Sequence, residues 1–201
     1  MAVTPSQMLE LGTPCPDFSL EDAVTGRTVS RGAVLAEGGG AKALLVMFVC
    51  NHCPYVIHVR EALTALVHGY MDRGLRAVAI NSNSEQTHPQ DGPPHMKALA
   101  EGLGWRFPFL FDRTQEVAQR FHAACTPDFF LFDAQGLLAY RGQMDDARPG
   151  RDVPVTGRDL RAAIDAVLEG RAPSAEQRPS IGCNIKWHPG SAPAYFGSPS
   201  R

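Results

Sequence analysis

The chain has 201 residues, enough for one domain of ordinary size with a short extension and a proper hydrophobic core. Hydrophobic residues make up 44%, charged residues 20%, and the formal net charge is −2, which leaves no electrostatic footprint for nucleic acid or an anionic membrane. The start, MAVTPSQMLELGTPCPDF, lacks a basic stretch followed by an apolar core, and nowhere do about eighteen uncharged apolar residues run together; a cytoplasmic protein without a membrane span is expected.

In chain order, PDFSLEDAVTGRTVS predicts a hairpin of two short strands around Thr25-Gly26, with Phe18 and Leu20 facing in. AVLAEGGGAK is expected as a loop. Its glycines lack both the following Lys-Ser/Thr and the spacing of a phosphate cradle. ALLVMFV, 43–49, is the continuous apolar run of a strand buried on both faces. After Pro54, the residues Val59, Leu63, Leu66, Val67 and Tyr70 recur at helical spacing up to Gly74, and LRAVAINS comes next as a second buried strand. Such a strand, helix, strand unit favours a parallel pair with a right-handed crossover.

The Pro-, Gly- and polar-rich stretch EQTHPQDGPPH, 85–95, is expected as a loop, and MKALAEGLG as a short helix ending at a glycine. FPFLFD predicts a strand, TQEVAQRFHA a helix capped by Thr114 or Asp112, and DFFLFD with LLAYRGQM a hairpin around Ala134-Gln135-Gly136. TGRDLRAAIDAVLEG predicts a capped amphipathic helix ending at Gly170, and the C-terminal stretch beyond that glycine shows no periodicity. The expected organisation is an α/β domain over 1–170 with a tail, 171–201, docked on it through Ile181, Ile185 and Trp187.

The chemistry concentrates in FVCNHCPYV, 48–56. Five cysteines, Cys15, Cys50, Cys53, Cys125 and Cys183, are an odd number in a mid-sized chain, unlike the dense even framework of a small secreted domain. A cysteine where a buried strand passes into a helix sits at the positive end of the helix dipole, near unpaired backbone N–H groups that favour the thiolate. His52, between Cys50 and Cys53, is a candidate for tuning that thiolate. Two thiols at this spacing can close a small ring, so that one resolves a mixed disulfide formed by the other. Two other readings stand beside this one. Cys183 and His188, or Cys125, would complete a zinc site in a non-enzymatic interaction module, or the pair are buried structural thiols.

Over Gly12 to Gly170 the chain resembles the thioredoxin-like redoxins, the superfamily of thioredoxins, thiol-disulfide reductases and peroxiredoxins, through TPCPDFSL, the strand and cysteine motif, and TPDFFLFDAQG. The resemblance implies a thioredoxin-like fold, a central mixed β-sheet flanked by helices, in which Thr126-Pro127 forms a cis-proline loop that faces the cysteines and shapes a substrate groove. It also sets the register. Counting from Phe48 puts Cys53 at the place of the thioredoxin nucleophile and of the peroxiredoxin peroxidatic cysteine, with Cys50 an upstream partner and Val56 at the usual second cysteine. The peroxiredoxin Pro and Thr are replaced by Val46 and Cys50, and their helper arginine by the Pro127 arrangement. The buried acid of thioredoxins is replaced by Met47, and the Glu of membrane-tethered reductases by Val56 or Val59, leaving His52 and His58 as candidate proton acceptors.

Together CNHCPYV, CTPDFFLFD and PSIGCNIKW are similar to a peroxiredoxin-like branch, related to alkyl hydroperoxide reductase and thiol-specific antioxidant proteins. The function this implies is thiol-disulfide exchange by a Cys50/Cys53 couple, with antioxidant activity and a part in cell redox homeostasis. Its partners would be thiol or disulfide protein substrates, or hydroperoxide, and a thiol reductant; no cofactor or metal is implied. The alternative is a thiol peroxidase with Cys53 peroxidatic and Cys50 or Cys183 resolving. Cys183 would take part if the tail docks over the active site; Cys125 is expected as a buried free thiol, and Cys15 carries no reactive signature.

Overall fold

The computed structural model describes residues 3–196. Its centre is β4 (Ala43–Phe48), in which all six residues are buried because side chains alternate between two covered faces. Leu45 and Met47 join one core cluster, whereas Leu44, Val46 and Phe48 join the other. Each such side chain stabilises the fold by about 2 kcal/mol on burial. β5 (Leu75–Asn81) lies parallel to β4, with Val46 opposite Val78, and the crossover between them is α2 (Pro54–Met71). On the other side β8 (Asp128–Phe132) runs antiparallel to β4, with Phe48 opposite Asp128.

The sheet is completed by β2 (Ser19–Asp22), β3 (Thr28–Ser30), β6 (Phe109–Phe111) and β9 (Leu138–Gly142), in the order β3-β2-β6-β5-β4-β8-β9. Parallel and antiparallel pairs are mixed, and helices cover both faces, so the fold is thioredoxin-like. Both expected hairpins form, β2 with β3 and β8 with β9.

Three helical expectations need correction. AVLAEGGGAK is not all loop: α1 (Arg31–Ala36) forms because the Ser30 hydroxyl accepts the Ala33 N–H at 3.2 Å and Val34 is buried. α3 (Pro93–Gly102) starts inside the stretch expected as loop, with proline in its first turn, where the missing N–H costs nothing. α4 (Glu116–Arg120) is only five residues long; Asp112, of the two caps expected, accepts the N–H groups of Val117 and Ala118 at 3.4 and 2.9 Å. α5 (Arg158–Leu168) begins at Gly157, whose φ of +67° and whose contact with Leu66 Cδ1, 2.6 Å from an added Cβ, demand glycine. The buried Asp145 carboxylate caps this end from a distance, accepting the N–H groups of Thr156 and Gly157 at 2.7 and 2.6 Å.

The segment after α5, expected as aperiodic, contains a strand, β10 (Ile181–Asn184). It lies between β1 (Val3–Pro5) and β7 (Cys125–Thr126) in a second, three-stranded sheet, antiparallel to both. Neither β1 nor β10 is legible as a strand in the sequence, since such short runs carry no alternation; they exist because they pair with each other. Beyond β10, Ile185 and Trp187 are buried in the cluster that holds Phe48 and Phe121, and the Tyr195 hydroxyl donates to the carbonyls of Ala118 and Ala123.

Candidate functional site

β4 ends at Phe48 and α2 begins at Pro54, so the Cys-x-x-Cys stretch is the turn between a buried strand and an eighteen-residue helix. Cys53 is the N-cap residue, with extended φ/ψ of −68° and 122°, and Pro54 fills the first helical position, where no N–H is needed. The peptide Thr126-Pro127 is cis; the Thr126 carbonyl lies 3.1 Å from Cys53 Sγ, and the Thr126 hydroxyl 3.4 Å from Cys50 Sγ. Cys50 and Cys53 are both buried.

The two thiols differ in acidity. Hydrogen bonding from Cys50 is the largest influence on Cys53; burial opposes it, and the Cys183 thiol, the Thr126 hydroxyl and the Val56 N–H assist, bringing the Cys53 pKa down to about 5. Ionisation gives up the thiol's own bond to the Thr126 carbonyl and gains these donors instead. Cys50 goes the other way. Its donation to Cys53, its burial and the negative charge of Asp91 hold its pKa well above the ordinary thiol value. The pair is thus sorted into a thiolate and a proton donor.

Asp91 is the residue missed in the sequence. It is wholly buried in the Pro-, Gly- and polar-rich stretch expected as a loop, and its carboxylate accepts the Asn51 N–H at 2.9 Å, Asn83 Nδ2 at 2.8 Å and His52 Nδ1 at 2.5 Å. Burial opposes its ionisation, but the bonds from His52 and Asn83 and the His52 charge outweigh this and keep its pKa below the ordinary value. Asn81 Nδ2 in turn donates to the Asp91 carbonyl at 2.7 Å. The only signal in the sequence is an Asp-Gly in a turn, which does not reveal a partner 39 positions away. His52 also stacks on His88, ring centroids 5.0 Å apart. It is therefore fixed in place, and Asp91 pins both residues between the cysteines.

Cys183 of β10 lies opposite Thr126 in the strand register, the Thr126 carbonyl oxygen is 3.1 Å from Cys53 Sγ, and Cys183 shares the core cluster of Cys50 and Cys53. Its thiol is buried, and desolvation first, then its role as donor to Cys53, push its pKa up to about 12. Cys125 is fully buried with a pKa raised well above the ordinary value by desolvation, and Cys15 is likewise raised to about 12. The zinc set that the sequence suggests is not brought together. His188 is engaged with the Ser84 hydroxyl and the Arg113 carbonyl, both at 2.8 Å. Among the described residues, the trio of ligand-type atoms within 4.8 Å of one another is Cys50, His52 and Asp91. His52 and Asp91 in that trio are already committed to each other.

Among the described residues no helix is long and apolar enough to cross a membrane. A search of curated proteins found no relative. Among solved structures, an uncharacterized conserved protein from Geobacillus kaustophilus is 48% identical, with a TM-score of 0.90 over 94% of this chain and 98% of that one. A hypothetical protein from Sinorhizobium meliloti 1021 is 47% identical, with a TM-score of 0.89 over 93% of this chain and 100% of that one. A thioredoxin-family thiol:disulfide interchange protein from Chlorobium tepidum TLS, 20% identical, shares the fold at a TM-score of 0.59 over 79% of this chain and 98% of that one. The match that defines the family spans residues 11–141, from the N-terminal segment through β9, and takes in Cys50, Cys53 and the cis Thr126-Pro127 peptide: the chain belongs to the AhpC/TSA family.

Proposed function

We propose that the chain is a thiol-disulfide oxidoreductase in which Cys53 is the nucleophile and Cys50 its resolving partner. The observation that supports this best is the convergence of the Cys53 thiol, the Cys50 thiol and the Thr126 carbonyl at the N-terminus of α2. The Cys53 thiolate attacks a substrate disulfide, one substrate sulfur leaves and takes a proton, and a mixed disulfide remains. Cys50 then loses its proton, attacks Cys53 Sγ and expels the second substrate thiol; a thiol reductant restores the pair. Thr126 and Pro127 form the wall of the substrate groove. His52, held by Asp91, is a positioning residue for the turn that carries both cysteines. A reducing cytoplasm would supply the thiol reductant that this cycle needs.

The test is the rate at which reduced protein reduces a small aromatic disulfide. Cys53→Ser should lose at least about 100-fold and Cys50→Ser should slow turnover, with a Cys50–Cys53 disulfide mapped in oxidised wild type. Finding both cysteines as free thiols after mild oxidation would refute the couple.

Family membership favours a second reading, a thiol peroxidase. There the Cys53 thiolate attacks a hydroperoxide, the O–O bond breaks, an alcohol leaves, and Cys50 condenses with the sulfenic acid, releasing water. The groups that lower the Cys53 pKa are two thiols, the Thr126 hydroxyl and a backbone N–H rather than a guanidinium, which favours the reductase. Rapid consumption of one hydroperoxide equivalent, abolished by Cys53→Ser and retained in Cys50→Ser, would reverse that preference.

A further inference from the structure

An exposed strand edge is a template for an incoming strand, and β7, which carries Thr126 beside Cys53, would be such an edge. In this chain it is already taken. β10 runs antiparallel along it, with Cys183 opposite Thr126 and Asn184 opposite Cys125. The approach is so close that a Cβ on Gly182 would lie 2.0 Å from the Thr126 carbonyl oxygen, a backbone atom with no room to give. The Ser180 hydroxyl donates to the Pro127 carbonyl at 2.6 Å, β1 closes the outer side of β10, and β10 also packs on α2. Farther along, Lys186 N–H donates to Asn83 Oδ1 at 2.8 Å, and Asn83 holds Asp91, so the strap is tied to the same network that pins His52.

We propose that β10 is a tethered pseudosubstrate strand: it occupies the edge a peptide disulfide would take and presents Cys183 as a second thiol that resolves disulfides on Cys53. This rests on Cys53 being the nucleophile. Thr126 is the shared neighbour: its carbonyl lies 3.1 Å from Cys53 Sγ, its hydroxyl 3.4 Å from Cys50 Sγ, and Cys183 sits opposite it in the strand register. Part of what keeps Cys183 protonated is its donation to Cys53, and that restraint disappears once Cys53 sulfur is held in a disulfide.

The balance with a low-molecular-weight disulfide such as oxidised glutathione is simple. Cys53 thiolate bonds to one glutathione sulfur as the reagent's S–S bond breaks, and the other glutathione leaves and takes a proton. Cys183 loses its proton to solvent, its sulfur attacks Cys53 Sγ, the mixed disulfide breaks, and the second glutathione leaves as a thiol. Two protein thiols are oxidised and one disulfide is reduced.

The test uses full-length Cys50→Ser, which leaves Cys183 as the designated resolving thiol. After one equivalent of oxidised glutathione, mass mapping should find an intramolecular Cys53–Cys183 disulfide, and Cys50→Ser/Cys183→Ser should retain glutathione on Cys53. Persistent Cys53-glutathione in Cys50→Ser overturns the proposal while leaving the Cys53 nucleophile intact; no adduct in the double variant overturns that nucleophile, and the proposal with it. A second variant probes the strand. Gly182→Ala should speed alkylation of Cys53 about 10-fold and, combined with Cys50→Ser, slow closure of the Cys53–Cys183 bond about 10-fold, with far-ultraviolet circular dichroism unchanged. Unchanged rates in the folded variant would show that β10 is no gate, and a variant that fails to fold leaves the glutathione mapping, done with Gly182 intact, to decide.

Discussion

Cys50 and Cys53 have the same side chain, so their difference in acidity comes from their surroundings. Cys53 takes hydrogen bonds from two thiols, whereas Cys50 faces the Asp91 charge. Thiolate absorbance of the reduced protein should therefore titrate with a midpoint near pH 5, and Cys50→Ala, which removes the foremost donor, should move that midpoint upward. Because the folded pKa lies below the ordinary thiol value, this thiol's contribution to stability is complete only above that value and is lost as pH falls toward 5. Asp128 has the opposite sign. It is wholly buried, no good hydrogen bond reaches either carboxylate oxygen, and burial raises its pKa to about 7 despite weak help from the Ser6 hydroxyl and the Ala124 and Phe129 N–H groups. Its folded form binds a proton that the unfolded form releases above the ordinary carboxylate pKa, so it costs stability as pH rises toward 7. Thermal denaturation of Asp128→Asn should show stabilisation relative to wild type at pH 8 that shrinks as pH falls below about 7 and vanishes only below the ordinary carboxylate pKa of 3.8.

Among the elements, two turns depend on one carboxylate each. Asp91 holds the loop between β4 and α2 through Asn51 and His52, and Asp91→Ala leaves the half-buried Asn51 N–H, the buried Asn83 amide and an imidazole without their acceptor. A loss of about 3 kcal/mol is expected by denaturant titration, together with slower disulfide exchange, because the turn carrying both cysteines loosens. Asp145 does the same for the start of α5 and also accepts the Ala147 N–H at 2.9 Å. Asp145→Ala should cost a similar amount, about 3 kcal/mol, but leave the Cys53 titration where it was. The contrast between these two variants separates a carboxylate that positions the cysteines from one that only closes a helix.

Across the whole molecule, the stretch 180–187 after α5 belongs to the core rather than lying loosely on it. Trp187 is buried in the cluster that holds Phe48 and Phe121 and makes an edge contact with Tyr195, and the Lys186 and His188 backbone N–H groups donate to Asn83 and Gln115. Trp187→Ala should cost about 4 kcal/mol and increase Cys53 alkylation, since releasing this anchor frees β10 at the site. Unaltered alkylation in a destabilised variant would separate anchoring from access.

The continuous apolar run of β4, the helical spacing after Pro54 and the register from Phe48 are local patterns. They are sufficient to predict the strand, the helix, the central sheet and the place of Cys53 at their junction. Thr126-Pro127 is recognisable because the resemblance carries its own short motif. Tertiary structure decided what depends on residues far apart in the chain. Asp91 reaches His52 across 39 positions, β1 pairs with β10 across nearly the full chain, and Cys183 comes opposite Thr126 at the site only because Gly182 lets two backbones touch. A strand of three or four residues has no periodicity, and a buried carboxylate gains its meaning from its partners. Sequence therefore determined which cysteine sits at the helix start, and packing decided which groups set its acidity and which strand closes its edge.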